Sequence, residues 1–249
     1  MKPGPRFRPT MQRLLAASVA LASLPSAGSL GTLSALAVLG SAGAPARADE
    51  SSIDEKLRQA EQRARRSYGE LYGLPVFIRI IKEDLELELW CCCEGRWSIA
   101  KTYPIAGMSG ELGPKTQEGD CQAPEGFYRV TPRALNPRSS YHLSFNIGYP
   151  NRYDRQLGRT GSLIMIHGKD CSIGCFAMTD PGIEEIYSMV AAALRNGQEG
   201  VRVQVYPFRM TDERMQQEAG HPHFAFWARL KKGWDYTEQK RAPYPNQDE

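Results

Sequence analysis

The 249-residue sequence predicts an α+β fold that is mainly β with flanking helices, and three patterns indicate it. Apolar and polar residues alternate in VFIRII, LELELW and WSIAKTYPI, as expected of strands that bury one face. The apolar run SLIMI at residues 162–166 is typical of a central strand. A single apolar stripe at helical spacing follows Asp180-Pro181 and ends at Gly197, which predicts one long amphipathic helix.

Residues 1–48 have the pattern of a signal peptide for export. A basic start is followed by an uncharged stretch rich in Ala, Leu, Ser and Gly, and Ala46-Arg47-Ala48 is a small-x-small cleavage signal before Asp49. The alternative is a retained membrane anchor, but Pro25 and the Gly/Ser-rich middle interrupt the apolar run. We therefore expect an exported protein.

The charge of the chain argues against a nucleic-acid partner. Five of the 31 Lys and Arg residues and none of the 28 Asp and Glu residues lie in residues 1–48, so the remainder has 26 basic and 28 acidic residues and a net charge of −2. The basic isoelectric point of the whole chain thus comes largely from the signal, and the rest shows no basic field that would attract phosphates.

Four segments are predicted along the chain. The signal is followed by a helical lead-in over 49–74, a main domain over 75–210, and a C-terminal helix and tail over 211–249 that begins at the capping residue Thr211. The main domain should open with a hairpin that buries Leu85, Leu87 and Leu89. A glycine-rich loop at 107–120 and the strand candidates GFYRV and YHLSFNIGY come next.

The six cysteines are Cys91, Cys92, Cys93, Cys121, Cys171 and Cys175. An exported protein can form disulfides, but neighbouring cysteines do not easily bridge each other. At most one of the three consecutive cysteines is expected to reach Cys121, and the connectivity stays open.

The segment IMIHGKDCSIGCFAMTD, residues 164–180, places a histidine and a cysteine eight positions apart around a turn. A thiol attacks a carbonyl as thiolate, so a nucleophilic Cys175 needs a base such as His167. A turn from Gly168 to Gly174 would bring the thiol against the imidazole. Gly174 permits a positive φ, and exposed N–H groups there would stabilise an oxyanion. These residues indicate a cysteine nucleophile with a histidine base.

Three other interpretations stay open on the residues alone. The histidine and cysteines could be buried structural residues. His167, Cys171 and Cys175 have the spacing of metal ligands on one face of a helix, although the glycines argue against a helix. Cys171 and Cys175 could form a redox pair, although the chain has no C-x-x-C motif.

The blocks GPKTQEGDCQAPEGFYRV, FNIGYPNRYDR and SLIMIHGKDCSIGCFAMTD, in this order, resemble the L,D-transpeptidase (YkuD) family, in particular its murein-transpeptidase branch with a compact H-G-x-x-x-S-x-G-C signature. The resemblance covers about residues 75–210. It implies a β-sandwich catalytic domain in the periplasm or cell envelope. The implied enzyme acts on peptidoglycan stem peptides and uses no cofactor or metal.

The resemblance also implies roles for residues of the motif. Cys175 would attack the diaminopimelate carbonyl of the stem and form a thioester, with His167 as base and a backbone carbonyl near Gly168 orienting the imidazole. Ser172 and Gly174 match the turn and the oxyanion region. An amine would resolve the thioester into a crosslink or a protein attachment to the wall. Water would instead release a stem or a wall-attached protein such as a lipoprotein.

Other residues near the motif have more than one interpretation. Tyr141 and Phe145 would line a substrate cleft or lie in the core, and Asp180 is expected to be a helix cap. Ile173 stands where many family members have a second histidine, as S-H-G-C, so no role of that histidine transfers to this chain. A catalytically dead wall-binding module is the alternative of another class, and the intact His167–Cys175 pair counts against it.

Overall fold

The computed structural model describes residues 45–245, with side chains from Glu50 onward, so the predicted signal lies outside the fully described part. These residues belong to one compact unit. No helix among the described residues has the length and apolar character needed to cross a membrane. The helices are α1 (Pro45–Tyr68), α2 (Arg152–Gln156), α3 (Asp180–Arg195), α4 (Asp212–Gln217) and α5 (Phe224–Lys240). The strands are β1 (Val76–Ile81), β2 (Glu86–Cys93), β3 (Arg96–Pro104), β4 (Gly126–Val130), β5 (Leu135–Asn136), β6 (Ser144–Asn146), β7 (Met165–His167), β8 (Phe176–Ala177) and β9 (Val201–Tyr206).

The strands form two sheets that share one core, which confirms the predicted α+β class. The larger sheet has the order β3-β2-β1-β9-β4, with β1 and β9 parallel, and the smaller has the order β5-β6-β7-β8, with β7 and β8 parallel. Buried side chains of both sheets and of α3 belong to a single apolar cluster. The small sheet carries the His167–Cys175 segment, so this core holds the motif in place.

The predicted hairpin is present, but one of the three leucines expected in its core is exposed. β1 and β2 pair antiparallel, and Leu87 and Leu89 are fully buried. Leu85 lies in the turn with φ +53° and is 46% exposed, because this backbone conformation turns its side chain out of the strand's alternation. The polar face of the hairpin is also buried: Glu88 forms an ion pair with Arg79 inside the protein.

Helix α5 covers that polar face, although the sequence predicts a helix that ends near Gly220 and a tail from His221 onward. Its buried residues Trp227, Leu230 and Trp234 form a second apolar cluster with Phe127 and Tyr206 of the large sheet. The spacing of three and four residues is helical, and it is the signal that could have identified the helix. The C-terminal segment therefore contributes a layer to the fold.

Two strands of the small sheet are shorter than the sequence predicts. YHLSFNIGY contains only the three-residue β6, and SLIMI contributes only its last two residues to β7. Leu163 has φ +56° and is 64% exposed, so the chain enters the strand after it. Phe145 of β6 is fully buried, which corrects its expected place in a substrate cleft: its ring packs near Tyr187 of α3.

Helix α3 forms as predicted, and its cap is one residue earlier than expected. The N-cap is Thr179, whose side chain accepts a hydrogen bond from the Gly182 N–H. Asp180 is the first helical residue, and its Oδ1 accepts from the Lys169 N–H at 2.9 Å. Asp180 thus fastens the turn of the motif to α3.

Helix α1 packs against α3, and its predicted start is too late. It begins at Pro45, so the predicted cleavage point before Asp49 falls within this helix. Ala60 and Ala64 are fully buried, and Ser67 donates a hydrogen bond to Glu185 of α3 at 2.7 Å.

None of the six cysteines is paired in the structure. Cys91 is buried, Cys92 is half-buried and Cys93 is exposed, which follows the end of β2 as it leaves the core. Cys121 and Cys171 are exposed, and no cysteine of the triplet forms a disulfide with Cys121.

Candidate functional site

His167 and Cys175 both line a cleft of about 590 Å³. The two residues are brought together by the parallel pairing of β7 and β8, in which His167 lies opposite Ala177. Cys175 is two residues before Ala177, and side chains two apart in an extended chain point to the same side. The segment is therefore strand, turn and strand, and the helical premise of the metal interpretation is wrong.

His167 is held so that one ring nitrogen is free to act as a base. Its Nδ1 lies 2.6 Å from the Gly168 carbonyl oxygen, which can only accept, so Nδ1 carries the proton of a neutral ring. Nε2 then has the lone pair, and it lies 3.3 Å from Ser172 Oγ. Burial lowers the pKa of His167, although the Gly168 hydrogen bond opposes the shift. The neutral, basic form is thus favoured.

The environment of Cys175, beside the same cleft, favours the protonated thiol. Burial raises its pKa above 9.0, while a hydrogen bond from the Met165 N–H and the charge of Lys115 act in the opposite direction. Sγ accepts from Met165 at 3.2 Å and donates to the Leu163 carbonyl at 3.6 Å. The hydrogen bonds of this thiol do not include His167, so a change of side-chain rotation must precede direct proton transfer between them.

The turn before Cys175 is fixed by a residue that the sequence analysis missed. Ser109, in the loop at 107–120, accepts from the Gly174 N–H at 2.8 Å and donates to the Cys121 carbonyl at 2.6 Å. Gly174 has φ +77°, as its expected turn requires. Because the Gly174 N–H donates to Ser109, it is not one of the free N–H groups that the sequence predicted for the oxyanion. The N–H of Cys175 forms no hydrogen bond with a described residue.

Gly168 lies where no larger residue fits. A Cβ there would lie 2.6 Å from Asp180 Oδ1 and 2.7 Å from the Tyr141 carbonyl oxygen. Its N–H donates to the carbonyls of Tyr141 and Leu143 at 3.0 and 3.1 Å. Gly168, whose carbonyl orients His167, is therefore held in place by the hydrogen bonds of its own N–H and by the close packing around its Cα.

Tyr141 forms part of the cleft wall, as one of its two interpretations expected. It is 47% exposed, and its ring centroid lies 4.7 Å from that of His167. The wall is tied to α1 because Lys56 Nζ donates to the Pro137 and His142 carbonyls at 2.7 and 2.8 Å. The exposed Cys171 and the half-buried Ser172 also line this cleft.

A second cleft of about 330 Å³ meets the main one at Cys175. Its lining includes Lys115, Glu118 and Cys121 of the glycine-rich loop. Lys115 is nearly buried and is paired with Asp120. The sequence alone gave no sign of this lysine, because 60 residues separate it from Cys175 along the chain.

The family of this chain follows from its similarity to known proteins. Residues 84–205 match the family model of the L,D-transpeptidase catalytic domain, YkuD. The chain is 47% identical over 174 residues to the protein named "Putative L,D-transpeptidase YafK" of Escherichia coli K12, covering 70% of this chain and 71% of that protein. The protein of the same name from Escherichia coli O157:H7 matches equally.

The chain belongs to the L,D-transpeptidase (YkuD) family. Solved structures that resemble it include the helical cell shape determining protein Pgp2 of Campylobacter jejuni, at 23% identity and a TM-score of 0.43, over 63% of this chain and 55% of that one. Bd1075 of Bdellovibrio bacteriovorus matches at 18% identity and a TM-score of 0.37, over 66% and 58%. The chain thus spans less than two thirds of either structure.

Ile173 brings an apolar side chain to the place where the two clefts meet. Its side chain is 75% exposed and lines both clefts beside Cys175. Among the described residues, no group of three or more His, Cys, Asp or Glu side chains could hold a metal ion.

Proposed function

We propose that this chain is an exported L,D-transpeptidase that acts through a Cys175 acyl-enzyme on the diaminopimelate carbonyl of peptidoglycan stem peptides. The observation that carries the proposal is that the Cys175 thiol and the unprotonated Nε2 of His167 face one open cleft. A dead binding module would not need this arrangement. Family membership supplies the substrate class.

The chemistry begins from a neutral pair. His167 Nε2 accepts the thiol proton as Sγ attacks the carbonyl carbon, and the resulting imidazolium is stabilised by the Gly168 carbonyl at Nδ1. The imidazolium then returns the proton to the leaving amine, and the acyl group remains on Sγ as a thioester. Ser172 Oγ, 3.3 Å from Nε2, holds the ring towards the cleft before substrate arrives.

The tetrahedral oxyanion needs hydrogen-bond donors that the resting protein does not already use. The Cys175 N–H is one such group, whereas the Gly174 N–H donates to Ser109. Ser109 thus has an indirect role: it fixes the peptide that precedes the nucleophile. The second cleft gives the leaving group, and then the attacking amine or water, a separate approach to Cys175.

Purified wall fragments and mass spectrometry test the proposal. Wild-type protein should convert stems with loss of the terminal D-amino acid, Cys175→Ala should form no product, and a carbapenem should add its mass to Cys175 alone. Cys171→Ala is the matched control, because it removes another thiol of the same cleft. Crosslinked products indicate an amine acceptor, and freed stems or freed wall-attached protein indicate water. Full activity of Cys175→Ala would refute the acyl-enzyme.

A further inference from the structure

The main cleft continues over the small sheet into a groove of about 550 Å³, which we call the arginine groove. The two share the surfaces of Asn136, Leu163 and Met165. The groove is lined by Arg129, which pairs with Glu199, and by Arg133, in the short turn before β5. Arg138 lines the adjoining part of the main cleft, and Arg133 and Arg138 are the two arginines that flank Asn136 in the sequence. A ligand that extends from Cys175 along the small sheet therefore passes between these two arginines.

The charge of this surface has one sign. Among the described residues that line the main cleft and the arginine groove, none is acidic. Arg133 is exposed and forms no hydrogen bond or ion pair with a described residue. Arg138 has one weak partner, the exposed Glu50 at 3.9 Å, and such a surface pair is easily displaced. Both guanidinium groups are thus available to an anionic ligand.

The charge of the groove contrasts with that of the second cleft. The second cleft contains Glu118 as well as Lys115, and the lysine is already paired with Asp120. Of the two surfaces that meet at Cys175, only the one towards β5 offers unsatisfied positive charge. The anionic portion of a substrate is therefore favoured on the β5 side of the nucleophile.

The distances suit a peptide carboxylate. Asn136, Ser144 and His167 lie in one row across β5, β6 and β7, so Asn136 is about 10 Å from His167 at the usual strand spacing. A carboxylate two residues from the attacked carbonyl lies about 7 Å away along an extended chain. The arginines on either side of Asn136 are then within side-chain reach of it.

We propose that Arg133 and Arg138 bind carboxylates of the acyl-donor stem, above all the free α-carboxylate of its γ-linked glutamyl residue. This inference deepens the proposed function and rests on it for the identity of the donor. The carboxylate accepts hydrogen bonds from the guanidinium groups, which fixes the direction of the stem so that the scissile carbonyl lies at Sγ. The two arginines are specificity-determining residues and take no part in bond breaking.

Binding to the unreactive Cys175→Ala protein tests the inference without turnover. Calorimetry would compare a diaminopimelate stem that has a free glutamyl α-carboxylate with the same stem amidated there. The free acid should bind about three- to tenfold more tightly, as expected for one charge-assisted contact at an open surface. Replacing both arginines, as Arg133→Gln with Arg138→Gln, should remove that difference.

Arg96→Gln is the control for each arginine replacement made singly, because it removes one positive charge from an exposed residue of the large sheet that lines neither cleft nor groove. It should leave the preference unchanged. The inference is overturned if the Cys175→Ala protein binds the free-acid and amidated stems equally or binds neither. It is also overturned if the preference for the free acid survives the replacement of both Arg133 and Arg138. Turnover by the protein that retains Cys175 is measured separately. Normal turnover without a preference for the free carboxylate would refute only the role of the two arginines. Absence of turnover would refute the proposed function.

Discussion

Replacing His167 by glutamine should separate two reactions of Cys175. Alkylation by a small reagent depends on the fraction of thiol already ionised, whereas acylation by a stem peptide also needs a base that takes the proton during attack. Burial raises the pKa of Cys175 and lowers that of His167, so the resting pair is neutral. Removal of the imidazole should then affect acylation strongly and alkylation little.

The size of the two effects follows from the structure. Because burial holds the pKa of the Cys175 thiol above its usual range, and the imidazole is not among the groups that shift it, Cys175 is mostly protonated at pH 7 with or without His167. Alkylation in His167→Gln should therefore stay within about twofold of wild type, and its rate should rise with pH beyond 9. Loss of a general base should slow acylation by about 10²- to 10⁴-fold. Glutamine also keeps a donor for the Gly168 carbonyl.

Peptide-resolved mass spectrometry would measure both rates. Iodoacetamide labelling of Cys175 is followed from pH 6 to 10 in wild type and His167→Gln, and the labelling of Cys93, at the exposed end of β2, serves as the internal control. Acylation is followed with a stem peptide at pH 7. A wild-type labelling rate that is fast and constant between pH 6 and 8, and that collapses in His167→Gln, would reveal an imidazolium–thiolate pair and refute the neutral pair.

Lys115→Met should move the pH midpoint of Cys175 alkylation upward, because the lysine charge lowers the pKa of the thiol, whereas Lys115→Arg should leave it near wild type. Burial raises the pKa of Asp120, but hydrogen bonds from Lys115 and backbone N–H groups lower it from 3.8 to about 2. Asp120→Asn should therefore lower the free energy of unfolding by at most about 2 kcal/mol at pH 7, and urea titrations should find the difference lost as the pH falls from about 4 to 2. Gly168→Ala places a methyl group against a backbone oxygen and should cost about 1–3 kcal/mol of stability and at least about tenfold in acylation rate. The acidic limb of kcat/KM should lie below pH 6.5, because burial keeps the pKa of His167 under that value, and a limb above pH 7 would contradict this.

Local periodicity was sufficient for the elements whose partners are close in sequence. The β1–β2 hairpin and α3 could be predicted because their apolar residues recur at the spacing of a strand or a helix. The prediction failed at Leu85, where the positive φ of a local turn interrupts the alternation, and for α5, whose aromatic residues resembled a tail. Tertiary packing decided the second case, because α5 is stabilised by covering the charged face of the large sheet.

Long-range contacts set the part of the site that the sequence did not reveal. The spacing of His167 and Cys175 suggested their pairing. Ser109, which accepts from the Gly174 N–H, and Lys115, which lines the second cleft beside Cys175, come from a loop about 60 residues earlier. That loop is anchored by the buried Lys82, which donates to the Glu111, Gly113 and Ala123 carbonyls. No pattern within the loop itself could indicate which of its polar residues would be brought to the nucleophile.

The use of a backbone carbonyl as the partner of Nδ1 explains why the pair is neutral. A carboxylate in that place would fix the same tautomer but would also add a negative charge, which raises the pKa of an imidazole. The Gly168 carbonyl fixes the ring through a dipole alone, so burial determines the direction of the shift and the base stays unprotonated. A base held in this form can accept the thiol proton only when a carbonyl carbon is present for attack. Ionisation of Cys175 is thus coupled to the arrival of a carbonyl group in the cleft, which limits the reaction of the thiol with other electrophiles.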